Sequence, residues 1–115
     1  MAGHFIRFDK DAIEPEIGTP EKDKIRSGRP SSKTWNVEDA GGGLYAGIWE
    51  STVGEWDVAY TEWEFFHILE GVSVLTEEGG EPIKLKAGDS FVIRPGFKGR
   101  WKVVEPTKKH YVVRL

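Results

Sequence analysis

From Leu44 onward, apolar and polar residues alternate in short runs separated by turn residues. Pro82–Ile83–Lys84–Leu85–Lys86 is the cleanest case: on a strand, Ile83 and Leu85 point inward and both lysines outward. Leu44 to Trp49, Glu55 to Trp63, Ser90 to Arg94, Arg100 to Val104 and Lys109 to Leu115 read as further strands, and Phe65 to Leu69 runs on into Val72 to Thr76. The breaks are Ser51–Thr52–Val53–Gly54, the hairpin turn Glu77–Glu78–Gly79–Gly80 and Ala87–Gly88–Asp89. Glycine supplies the positive φ that such turns need, and aspartate caps its own turn through its side chain. No segment in this half shows an extended helical period, so the pattern implies an all-β sandwich or barrel. Two sheets are expected to pack face to face on Ile83, Leu85, Phe91, Ile93, Trp101, Val103 and Val113.

Residues 1–43 have a different texture. His4 to Phe8 alternates weakly and is expected to form a short strand that adds to a sheet edge, in its own subunit or in a partner's. Asp9 to Lys33 is rich in charge and contains Pro15, Pro20 and Pro30, which reads as an irregular arm with at most one helical turn. Gly41–Gly42–Gly43 reads as a flexible break before the barrel domain, residues 44–115.

Bulk composition narrows the classes of function. A chain of 115 residues has room for one domain and can bury most of its apolar surface. The formal net charge of -3 implies no polyanion partner, so no nucleic acid is expected. There is no cysteine, which excludes disulfides, thiolate zinc sites and cysteine nucleophiles. No apolar run approaches the roughly 20 residues needed to span a bilayer, and Met1–Ala2–Gly3–His4–Phe5 lacks a basic-then-apolar leader pattern. The expectation is a cytoplasmic protein without a membrane partner.

Several runs carry a family likeness. Glu64–Phe65, Ile68–Leu69–Glu70–Gly71, Lys86–Ala87–Gly88–Asp89–Ser90 and Pro95–Gly96–Phe97 have the frame of the two cupin motifs. The run from Trp101 to Tyr111 is a sharper tag. On these residues the chain resembles the small single-domain cupins grouped with ureidoglycine aminohydrolase and the ethanolamine-utilisation cupin. The resemblance implies a jelly-roll barrel of the RmlC-like type and a homodimer. It also implies where a metal would bind. Metal cupins place histidines near positions 58, 60 and 99, and this chain has Val58, Tyr60 and Gly99 there. Of the matching positions only Glu64 is a ligand type.

Within a jelly roll, Glu64 points into the barrel mouth and is the expected catalytic residue, as acid/base or metal ligand. The alternative is a carboxylate paired with neighbouring strands or with Arg94. Tyr60 and Glu62 share strand parity with Glu64, and three such oxygens suit Mg²⁺ or Mn²⁺ better than Cu²⁺ or Zn²⁺. The alternative for Glu62 is a solvated turn residue. A divalent metal therefore stays open as a cofactor, without the usual histidines. Trp56, Trp101 and Tyr111 are expected to wall a small-molecule pocket, and Arg94 to supply its cationic side; the alternative is that Arg94, following the inward Phe91 and Ile93, lies on the other face. Lys109 shares parity with Tyr111 and reads as a solvated lysine. His67 has odd parity relative to Glu64 and falls on the outer face, His110 reads as exposed or interfacial, and His4 lies on the arm. Two functions remain open: an enzyme acting on a small polar nitrogenous or carboxylated metabolite, or a metal-free binding or structural cupin without turnover.

Overall fold

The computed structural model describes residues 3–115. Met1 and Ala2, the start of the segment read for a leader, lie outside the described residues. Among the described residues nine strands form: β1 (Glu16–Gly18), β2 (Ile25–Gly28), β3 (Ser32–Gly41), β4 (Leu44–Ser51), β5 (Gly54–Ala59), β6 (Trp63–Glu77), β7 (Pro82–Lys86), β8 (Ser90–Ile93) and β9 (Lys98–Arg114). All pair antiparallel, in the order β1-β3-β4-β9-β5-β2, with β6 on β9 and both β7 and β8 on β6. The expected all-β cupin jelly roll is present as one continuous sheet curled on itself, and not as two separate sheets. No helix among the described residues is long and apolar enough to cross a membrane.

The curl follows from two long strands. β6 and β9 pair along their whole length, and each changes its other neighbour halfway. β9 pairs β5 through residues 98–103 and β4 through residues 107–114, while β6 pairs β8 and then β7. The switch lies at register shifts between Ile68 and Ser73, and bulges of this kind bend a strand. Gly71 sits in that bend at φ 88°, where a Cβ would meet the Pro106 carbonyl. Pro106 explains why Arg100–Val104 and Lys109–Leu115, read as two strands, are one. It has no pairing partner on β6, whose register jumps from Lys108 to Glu105, so its missing N–H breaks no rung. The concave side encloses Trp56, Phe66, Ile68, Leu75, Leu85, Ile93, Trp101 and Val103.

Three expectations change. The segment read as an arm contributes three strands to the sheet, and Gly41–Gly42–Gly43 is the turn between β3 and β4, all three glycines with positive φ. His4 to Phe8 is not a strand. Instead Phe8 packs edge-on against His110 (5.1 Å) and Lys10 lies over Trp35 (5.5 Å), which lays this stretch on the outer face of the sheet. Ile83 has the expected parity but remains 48% exposed, because β7 is an edge strand with no neighbour beyond it. Phe91 and Val113 are half-buried, and the other expected core residues are buried.

Candidate functional site

A cavity of about 470 Å³ opens on the concave side of the sheet. Strand alternation on β6 sends Glu64, Phe66 and Ile68 inward and Phe65, His67 and Leu69 outward. On β9 it sends Trp101, Lys109 and Tyr111 inward. Glu64 and Lys109 meet at the cavity wall, Nζ to Oε2 at 2.8 Å, with side chains only 6% and 7% exposed. The ammonium also lies over three rings, 4.8 Å from the centroids of Trp49 and Phe66 and 4.6 Å from that of Trp101. Carboxylate and π faces together replace the hydration that burial strips from a charge.

The cation at this cavity is Lys109 and not Arg94. Lys109 is buried, not solvated, and Arg94 is exposed and does not line this cavity. The reason is alternation at the end of β8: Ile93 turns inward, so Arg94 turns out, toward a groove of about 720 Å³ beside β7 and β8. The parity that Lys109 shares with Tyr111 is the signal that places it correctly.

The remaining expected residues converge. Tyr60, Glu62, Trp56, Trp101 and Tyr111 all line the cavity with Glu64. Shared strand parity is not the cause, since β5 ends at Ala59 and residues 60–62 form a turn. Tyr60 is fixed there by its backbone, donating to Phe97 O (2.9 Å) and accepting from Gly96 N (2.7 Å). Glu62 is half-buried at the rim, its Oε1 accepting from the Thr61 amide at 3.0 Å. Tyr111 donates its hydroxyl proton to Asn36 Oδ1 at 2.9 Å. Asn36 and Thr34 come from β3 and also line the cavity; reading that segment as an irregular arm concealed them. Burial, followed by the charge of Glu64, holds the Tyr60 phenol well above its usual range. The same two causes, with Glu16, push Tyr111 up to about 12. Both phenols are neutral donors at physiological pH.

The donor set does not fit the metal that cupins commonly carry. Among the described residues no three His, Asp or Glu side chains group as ligands. The one carboxylate at the expected position already holds the Lys109 ammonium. Val58 and Gly99 face each other across β5 and β9, and a Cβ on Gly99 would run into the Thr76 carbonyl.

His67 and His110 are cross-strand partners on the outer face, as their parity requires. His67 Nδ1 lies 2.7 Å from Ser90 Oγ. Burial, and then the neighbouring His67, lower the His110 pKa below its usual 6.5. A lowered histidine favours the folded state while neutral. That stability is present above the unfolded value and is lost as pH falls through the folded one. Urea melts at pH 7.5 and 5.5 should show a larger acid loss for the wild type than for His110→Gln. Equal losses would mean that His110 does not contribute.

The model of the EutQ-like cupin domain matches residues 38–111. A protein of unknown function from Pseudomonas syringae pv. tomato, of the DUF861 family, superposes with a TM-score of 0.81 at 27% identity over 92% of this chain. The match covers 46% of that protein, so this chain spans under half its length. A DUF861 family protein from Thermotoga maritima is 29% identical, with a TM-score of 0.54 over 85% of this chain and 97% of its own. A putative ethanolamine utilization protein, EutQ, from Salmonella typhimurium matches at 21% identity and a TM-score of 0.65, over 84% of this chain and 77% of its own; it supports the fold alone. No curated protein matches.

Proposed function

Because the chain belongs to the EutQ-like cupin family yet carries an ammonium where a metal would be expected, we propose that its barrel cavity is a metal-independent small-molecule site built on Glu64 and Lys109. The observation that carries this reading is the buried ion pair at the cavity wall. Two apolar residues of similar volume would hold the barrel as well or better, since burying two charges costs several kcal/mol per ion. A pair kept at the wall of an aromatic cavity is therefore better explained by what it offers a ligand. Glu64 accepts a proton from, or returns one to, a small polar metabolite. Lys109 fixes the carboxylate in one orientation. Tyr60 and Tyr111, both protonated, orient the molecule through their phenols.

The reading without turnover has its own support. The Glu64 Oε2 nearest Lys109 is already engaged, which leaves the carboxylate less free to reach a ligand proton. In that case the cavity binds and releases its ligand unchanged.

Trp49, Trp56 and Trp101 line the cavity, so intrinsic fluorescence reports occupancy. A library of small metabolites titrated into chelator-treated protein should yield a saturable signal. Glu64→Gln should weaken it by about tenfold or more, the loss of a charged hydrogen-bonding partner. The charge-balanced pair Glu64→Gln with Lys109→Gln guards against misfolding. Unchanged affinity in both variants would remove Glu64 from the site. Product formation by mass spectrometry separates the enzyme from the binding module.

A further inference from the structure

We propose that this cavity selects a small organic cation, a protonated amine or quaternary ammonium, over neutral and anionic molecules of the same size. The inference rests on the cavity being a ligand site and specifies what it takes. The walls come first: Tyr45, Trp49, Trp56, Tyr60, Trp101 and Tyr111 present six aromatic side chains to one space. Ring faces carry negative potential and attract cations, most strongly when water is excluded. The chain already shows this preference, because Trp49 and Trp101 solvate the Lys109 ammonium at 4.8 and 4.6 Å while also lining the cavity.

The charge balance points the same way. Of the three charged residues lining the cavity, Glu64 and Lys109 neutralise each other, which leaves Glu62 at the rim. An outer cleft of about 430 Å³ shares Trp49, Trp56, Tyr60 and Glu62 with the cavity and forms its approach. There Glu16 and Glu21 stand against Lys24, and Asp57 is tied to Arg26 at 3.0 Å. A path with an acidic excess raises the local concentration of cations.

The hydrogen-bonding inventory adds a third reason. Lys109, the cavity's cation, is committed to Glu64 and three rings, so no free ammonium waits for a ligand carboxylate. The Tyr111 hydroxyl hydrogen is engaged with Asn36 Oδ1, so toward a ligand its oxygen can only accept. A cationic N–H, or the polarised methyl groups of a quaternary ammonium, matches such a lining.

The test compares three probes of similar shape by calorimetry and tryptophan fluorescence: tetramethylammonium, neutral 2,2-dimethylpropan-1-ol and anionic 2,2-dimethylpropanoate. The cation should bind at least tenfold more tightly than the alcohol, with the carboxylate weakest. Glu62→Gln, a rim substitution that leaves the core intact, should narrow the gap between cation and alcohol. Equal or tighter binding of the alcohol or the carboxylate would overturn the cation preference while leaving a ligand site in place. Failure of all three probes while a library compound binds would also overturn it. Silence from every compound would remove the site itself.

Discussion

Lys109→Met is expected to cost about 3–5 kcal/mol of folding stability, the usual penalty for stranding one charge of a buried pair. Among the described residues no other cation lines the cavity. Glu64 Oε2 has its 2.8 Å partner in Lys109, and the next cation of the sequence reading, Arg94, lies outside the cavity. The informative variant is the double one. Glu64→Leu with Lys109→Met removes both charges and keeps most of the volume, so it should recover most of the loss or exceed the wild type in stability while abolishing ligand binding. Urea denaturation of the three proteins measures this directly. A single variant as stable as the wild type would mean that the pair is open to water and the cavity is wetter than its walls imply.

Trp101→Ala ranks with it, at about 3–5 kcal/mol for a large core aromatic. Trp101 is 2% exposed and packs against Phe66 at 5.4 Å and Trp49 at 5.7 Å, besides facing Lys109. Its indole N–H also starts a buried chain of hydrogen bonds. It donates to Ser73 Oγ (3.2 Å), which lies 2.7 Å from Thr107 Oγ1, and Thr107 in turn donates to the Glu105 carbonyl (2.8 Å). This chain ties β6 to β9 at the bend where both strands change neighbours. Trp101→Phe keeps most of the packing and loses the donor, so its cost should be the smaller one, about 1–3 kcal/mol for an unsatisfied buried partner. Thermal or urea unfolding that ranks Phe as costly as Ala would assign the effect to the hydrogen bonds and not to volume.

The strands after Leu44 were legible because alternation and glycine turns are local signals, and Pro82–Lys86 forms as read. What the sequence concealed depends on contacts distant along the chain. β3 carries Lys33, Asn36, Glu38 and Asp39, too polar to announce a strand, and it forms because β4 and β1 pair its two edges. Lys109 looked solvated because lysine usually is. Its burial follows from Glu64, 45 positions earlier, and from rings on three different strands. Arg94 differs the other way: alternation after the inward Ile93 turns it out of the cavity. Tyr60, Glu62, Glu64, Trp56, Trp101 and Tyr111 do share one cavity, although the parity argument for the first two does not apply across a turn.

The backbone at Gly99 bars one route to a metal site. An imidazole cannot simply be installed at this position, because the first atom of any side chain there collides with the main chain of the neighbouring strand at Thr76. Parting β6 from β9 to admit it would undo the longest ladder in the molecule. Single substitutions can tune what the cavity holds, yet none of them at this position adds a histidine ligand without breaking the sheet.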